Sequence, residues 1–182
     1  MNRTVLIVVG TIVGSFLLAC VGCGVFVFLL PSTTYAAPWD PCAEVAAAPV
    51  GGLGTVTGQA PAQDTAMPGC TLMFAEGGAV RSLKVLLATP ASASEATAHY
   101  DTAKAAADAA GATVADVSGV WTDGFSASTN GDAGLTYDLH VRDANLYARL
   151  TVVADRGVSA AKVRGQLVAV VEHLLPVLKE ED

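Results

Sequence analysis

Histidine, serine and aspartate are the side chains whose spacing could support catalysis or metal binding in this chain. The three histidines, His99, His140 and His173, lack both the H-x-x-x-H and the H-E-x-x-H spacing of a zinc site. Ser126, His140 and Asp138 could be combined into a hydrolytic triad, but no G-x-S-x-G nucleophile motif accompanies them. We therefore predict no catalytic residue, no metal site and no cofactor.

Two of the four cysteines lie outside the hydrophobic N-terminal run, and they are Cys42 and Cys70. Two lone cysteines in one small domain of an oxidising compartment are predicted to form a disulfide. The alternative, a reactive thiolate or a metal pair, lacks a nearby histidine. Within the run, the sequence Leu-Leu-Ala-Cys ending at Cys20 is similar to a lipobox, which makes Cys20 a candidate for lipidation.

A set of polar side chains with mixed charge lies on one side of a predicted hairpin formed by residues 135–142 and 145–153. Alternation along the two strands places them together, and we call this set the hairpin face: Asp138, His140, Arg142, Tyr147 and Arg149. Closing the hairpin at 143–144 pairs 142 with 145 and sets Asp138 across from Arg149. The hairpin face could bind a partner or an anionic ligand, or it could be a solvated sheet surface with a cross-strand ion pair.

The N-terminal residues 5–30 contain no charged side chain and exceed the roughly 20 apolar residues that cross a bilayer. Arg3 precedes the run, which favours a cytoplasmic N-terminus and an exported C-terminal part. The run is predicted to be an uncleaved signal anchor; cleavage near Ala36 and lipidation at Cys20 are the alternatives. Gly10 and Gly14 have the small-xxx-small spacing through which such helices can form a homodimer.

Charge narrows the classes of partner. The net charge is −7, and all 17 acidic residues lie at or after Asp40. An acidic surface repels nucleic acid, so we predict no nucleic-acid partner.

The remaining sequence predicts three segments: the anchor at 1–30, a short stalk at 31–38 and one extracytoplasmic domain at 39–182. Strand and helix signals alternate irregularly along the domain, and hairpins dominate. The predicted fold class is α+β, with an N-terminal transmembrane helix followed by an antiparallel sheet of about five strands. Two longer helices and one short helix are expected to pack on this sheet.

The order of motifs in this domain is similar to that of a known family. The residues that carry the resemblance are Asp40-Pro41-Cys42 opening a short helix, Leu53-Gly54 after it, and Cys70 starting a strand. The chain thus resembles small actinobacterial cell-envelope proteins, mostly lipoproteins, whose domain has no assigned function. The resemblance covers roughly residues 40–178 and implies a PsbP-like sandwich, but it supplies no catalytic residue.

Taken together, the sequence predicts a non-catalytic, membrane-anchored binding or interaction module of the bacterial cell envelope. Its expected location is the cell membrane, as a single-pass protein with the N-terminus in the cytoplasm and the domain outside. The expected partners are the membrane, through the N-terminal helix, and an envelope protein or small ligand. An envelope hydrolase with an unrecognised site and a membrane-dimerising structural subunit are the alternative functions.

Overall fold

Helices occupy three segments of the part of the chain that the structure, a computed structural model, describes: residues 33–38, 40–62 and 67–180. They are α1 (Pro41–Ala47), α2 (Ala93–Ala109) and α3 (Ala160–Leu178), with a 3₁₀ turn at Val50–Gly52. Local sequence accounts for the first two helix starts. The Asp40 carboxylate accepts hydrogen bonds from two backbone N–H groups of α1, and the Ser92 hydroxyl accepts one from Glu95 N at the start of α2.

Seven strands in the described residues form one sheet. Their bounds are β1 (Val56–Pro61), β2 (Gly69–Phe74), β3 (Val80–Ala88), β4 (Thr113–Asp116), β5 (Asp123–Gly131), β6 (Gly134–Asp143) and β7 (Leu146–Ala154). The spatial order is β1-β2-β3-β7-β6-β5-β4, and every neighbouring pair is antiparallel.

The two faces of the sheet carry different cores because side chains alternate along each strand. On the first face, leucines and valines of the central strands pack against α1 and the apolar side of α3 in the main hydrophobic cluster. On the second face, α2 covers part of the sheet, and a smaller cluster is built from residues such as Ala96, Tyr100 and Phe125. The second face is the one that carries the hairpin face, so α2 determines the environment of the candidate site.

The predicted fold class was wrong in the number of strands, and the described residues contain no membrane-spanning helix. The sheet has seven strands rather than about five, because the two polar edge strands β1 and β4 extend it at both ends. None of the six residues of β1, for example, is buried: four are exposed and two are intermediate, and the strand includes a glycine and a proline. Edge strands of this kind have only a weak pattern for sequence-based prediction.

The expectation of a single-pass protein of the cell membrane also needs correction. Among the described residues, no helix is long and apolar enough to cross a membrane. The longest helix, α3, has charged residues at Lys162, Arg164 and Glu172 along its exposed side. The run at residues 5–30, with Gly10, Gly14 and Cys20, lies outside the described residues.

The residues predicted to be a stalk pack against the domain in the part that is described. Tyr35 is buried and forms an isolated antiparallel bridge with Lys179, just after α3. Its hydroxyl donates to Asp143 Oδ2 over 2.5 Å, and its backbone N–H donates to Asn145 Oδ1. Contacts with residues more than one hundred positions away along the chain thus hold Tyr35 in place.

The predicted disulfide between Cys42 and Cys70 is confirmed, with their Cα atoms 4.9 Å apart. It joins α1 to β2, and both cysteines are buried in the main hydrophobic cluster.

Candidate functional site: a cavity between helix and sheet

The hairpin that carries the candidate site has the predicted strands but a different register. Residue 142 pairs with Tyr147 and Asp138 pairs with Thr151, so the pairing is displaced by two residues from the prediction. The turn consists of Ala144 and Asn145, and Ala144 has a φ of 44°. Because the displacement is two residues, every side chain stays on its predicted side of the sheet.

Helix α2 crosses the hairpin face, which the sequence had suggested to be a solvated surface or an open binding surface. Ala103 and Ala107 of α2 are partly buried against the sheet beside Ala96 and Tyr100. Small side chains let a helix approach a sheet closely. The expectation of an open polar surface was therefore wrong for His140 and Tyr147, which are each only 4% exposed.

His140 is held between polar and aromatic groups beneath the helix. Its Nδ1 lies 2.7 Å from the Tyr147 hydroxyl, and the ring of Phe125 stacks on it at 4.3 Å between centroids with an interplanar angle of 4°. Burial lowers the pKa of His140 to about 4, Asp138 opposes this shift and Arg149 adds to it. His140 is consequently a neutral imidazole near pH 7.

Tyr147 lies between two histidines. Its ring stacks on that of His99 of α2 with a centroid distance of 5.8 Å, while its hydroxyl contacts His140. Burial raises the pKa of Tyr147 to about 12, so the phenol is neutral as well. His140 and Tyr147 thus form a hydrogen bond between two uncharged groups in a largely apolar environment.

The charged residues of the hairpin face form a pair beside these neutral groups. Arg149 Nε donates to Asp138 Oδ1 at 3.0 Å, and the Thr151 hydroxyl donates to the same oxygen. The Arg149 side chain is 43% exposed and that of Asp138 only 15%. The carboxylate is therefore satisfied from within the sheet, while the guanidinium extends toward solvent.

A cavity of about 270 Å³ lies between the C-terminal half of α2 and the sheet, and we call it the helix–sheet cavity. Its lining comprises Ala103, Ala106, Ala107, Ala110, Ala112, Ala127, Thr129, Asp138, His140 and Arg149. Six of the ten are alanines, and the charged and hydrogen-bonding groups come from the sheet, Thr129 from β5 and the others from β6 and β7. The cavity is thus apolar along the helix and polar on the sheet side.

The structure brings together three of the five predicted residues, Asp138, His140 and Arg149, on the lining of this cavity. Tyr147 supports His140 without being part of that lining. Arg142 lies apart, where it pairs with Asp123 across the β5–β6 ladder. All five residues lie on the predicted side of the sheet, but Arg142 does not belong to the same site as the others.

The triad assembled from Ser126, His140 and Asp138 is excluded by the fold. Ser126 follows Phe125 in β5, and Phe125 contacts His140 on the second face of the sheet. Ser126 therefore points to the opposite face, where its hydroxyl donates to Ala115 O. The serine and the histidine cannot exchange a proton across the sheet.

Several residues of the site were not predicted from the sequence. Phe125 stacks on His140, and Ala106, Ala112 and Ala127 line the cavity. The alanine-rich composition of α2 was a usable signal, since a helix of this kind leaves space where larger side chains would fill it. Nothing local indicates which strands that helix covers.

In the described part of the chain, no three His, Cys, Asp or Glu side chains lie close enough together to hold a metal ion. Comparison with known proteins gives no further guide to the site. No family model, no curated protein and no solved structure matches this chain. The resemblance to the actinobacterial envelope family therefore stays a prediction.

Proposed function

We propose that this chain is a non-catalytic binding module that takes a small carboxylic acid with a short apolar tail in the helix–sheet cavity. The observation that carries the proposal is the division of the lining into an alanine wall and a polar side with Arg149 and His140. Ligand sites commonly combine an apolar wall with a few polar groups that fix orientation. The volume of about 270 Å³ restricts the ligand to a small molecule.

The polar side of the cavity offers donors rather than acceptors. Arg149 uses Nε for Asp138, which leaves its two terminal nitrogens for a ligand. We assign Tyr147 as the donor to His140 Nδ1, because a neutral phenol donates more strongly than it accepts; Nε2 then carries the proton. A ligand carboxylate would accept from the guanidinium and from Nε2–H.

A head group of another charge would fit the charged residues of the cavity less well than a carboxylate does. A cationic head group would meet the Arg149 guanidinium, while Asp138 is already satisfied by Arg149 and Thr151. The disulfide between Cys42 and Cys70 favours an oxidising compartment as the place where the protein functions, since disulfides persist there.

Titration with hexanoate and with hexylamine tests this function, because the two probes have the same tail and opposite charge. Backbone and side-chain NMR shifts of the protein are the measurement. Hexanoate should give saturable shifts at the cavity residues and hexylamine none. Arg149→Gln should weaken hexanoate binding about tenfold, as expected for the loss of one charge-assisted contact.

Two matched variants complete the experiment. Ala107→Leu places a larger side chain on the cavity wall and should abolish the shifts, whereas Ala105→Leu, on the exposed side of the same helix, should preserve them. Arg156→Gln removes an exposed arginine elsewhere and should leave affinity unchanged. The proposal is wrong if hexanoate gives no saturable shift, or if Ala107→Leu binds it as well as the unaltered protein does.

A further inference from the structure

A second and larger opening lies on the other side of α2, and we call it the loop cleft. Its volume is about 550 Å³, and it is bounded by α2, by the loop between β4 and β5 and by Arg142 of β6. The lining residues that matter here are Tyr100, Asp101, Lys104, Asp116, Asp123 and Arg142. None of them lines the helix–sheet cavity, so the two sites can be tested separately.

Four of the charged side chains in the loop cleft are paired. Lys104 Nζ lies 3.0 Å from Asp116 Oδ1, and Arg142 donates through Nε and Nη2 to Asp123 Oδ2. Each pair uses one oxygen of its carboxylate, and each cation has further N–H groups. The cleft therefore presents paired donors and acceptors side by side.

Tyr100 adds a neutral hydroxyl to the lining of the cleft. Its side chain is 7% exposed and its ring meets Phe125 edge to face, with 5.1 Å between centroids. Burial raises the pKa of Tyr100, so the phenol keeps its proton. Within the described residues its hydroxyl has no hydrogen-bond partner, which leaves it available to a ligand in the cleft.

The loop wall of the cleft is fixed in advance. Trp121 is buried, its indole Nε1–H donates to Val117 O at 3.2 Å, and Gly119 packs on its ring. A Cβ at Gly119 would lie 2.2 Å from the Trp121 ring, and one at Gly124 would lie 2.7 Å from Val117 O. Only glycine fits at these two positions, so the loop holds one close-packed shape, which lowers the entropy cost of binding.

We propose that the loop cleft binds a short neutral saccharide. A sugar hydroxyl both donates and accepts, so it can bridge a carboxylate and a neighbouring cation without separating the ion pair. An anion would face Asp101, Asp116 and Asp123, and a cation would face Lys104 and Arg142. The volume of the cleft lies within the usual range for ligand sites.

The experiment is an NMR titration with glucose, N-acetylglucosamine, maltose and cellobiose, followed at the Trp121 indole N–H and at the backbone amides of residues 116–124. At least one saccharide should produce saturable shifts confined to the cleft. Lys104→Met should weaken that binding about tenfold through the loss of its charged donor. Lys162→Met, on the exposed side of α3, is the matched control and should leave the affinity unchanged.

Three results overturn the proposal. The first is the absence of saturable shifts with all four saccharides. The second is a stronger response of the cleft to spermidine or to inorganic phosphate than to any saccharide, which would make it a site for charged ligands. The third is equal affinity in Lys104→Met and in the unaltered protein. Binding of hexanoate does not enter these outcomes, because it concerns the other cavity.

Discussion

His140 is the residue whose chemistry depends most on its surroundings. In water an imidazole would be partly protonated near pH 6.5, but here it lies between Phe125 and Tyr147 beneath a helix. Burial is the largest cause of its lowered pKa, and Asp138 offsets only part of this shift. The same burial that makes His140 a neutral hydrogen-bonding group also makes the fold sensitive to acid.

That sensitivity gives a prediction for stability against pH. The pKa of His140 is lowered from 6.5 to about 4, so the unfolded chain binds a proton in this interval and the folded chain does not. The free energy of unfolding should therefore fall as the pH decreases from 6.5 to 4, by about 3 kcal/mol from this group. Urea unfolding at a series of pH values measures it.

His140→Gln is the variant that isolates this effect, because glutamine does not titrate. Its unfolding free energy should have a smaller slope in this pH interval than that of the unaltered protein. His173→Gln, which removes a histidine of α3 that is only partly buried, should keep the full slope. Equal slopes in all three proteins would show that His140 does not control the acid response.

At the scale of elements, the β6–β7 hairpin determines which groups meet at the helix–sheet cavity. Its two-residue turn places Ala144 at a φ of 44°, a conformation that costs a residue with a Cβ atom roughly 1–2 kcal/mol. The register that follows sets His140 opposite Arg149 and Asp138 opposite Thr151. A residue with local strain thus fixes the pairing from which the site is built.

Ala144→Gly should relieve this strain and raise the free energy of unfolding by about 1 kcal/mol, because glycine adopts positive φ without steric cost. Chemical denaturation of the variant is the measurement. Ala133→Gly is the control, since Ala133 lies in the β5–β6 turn without a positive φ and glycine should lower stability there. A stability gain in Ala133→Gly as large as in Ala144→Gly would contradict the argument.

For the whole molecule, the disulfide and the hydrogen bonds of Tyr35 add to the strand pairing and core packing that hold the N-terminal elements in the domain. The disulfide connects α1 with β2, and Tyr35 contacts Asp143 and Asn145 at the hairpin tip. Burial and the contact with Asp143 raise the pKa of Tyr35, so this hydroxyl stays a donor. Segments close to the N-terminus are thereby bound to β2 and to the tip of the β6–β7 hairpin.

Reduction of the disulfide should lower the stability of the whole domain. Cys42 and Cys70 are separated by 28 residues, and opening a loop of this size costs about 3–4 kcal/mol in the chain-entropy model. Unfolding curves with and without a reducing agent measure the difference. The double variant Cys42→Ala, Cys70→Ala should not respond to the reducing agent, and an unchanged curve for the native protein would contradict the prediction.

The sequence by itself determined the local structure that supports the site. Apolar alternation in β6 and β7 predicted which side chains share a face. The two lone cysteines outside the N-terminal run predicted the disulfide. These features follow from neighbouring residues, because strand and helix periods fix the direction of each side chain.

Tertiary structure alone decided what covers each face. Periodicity placed His140 and Arg149 on one side of a hairpin, but only the path of α2 across β6 and β7 buries the histidine and leaves the arginine partly exposed. The register of the hairpin, by contrast, follows from its local turn at Ala144 and Asn145. The division of the hairpin face between two cavities depends on contacts between segments far apart in the chain, which no local pattern encodes.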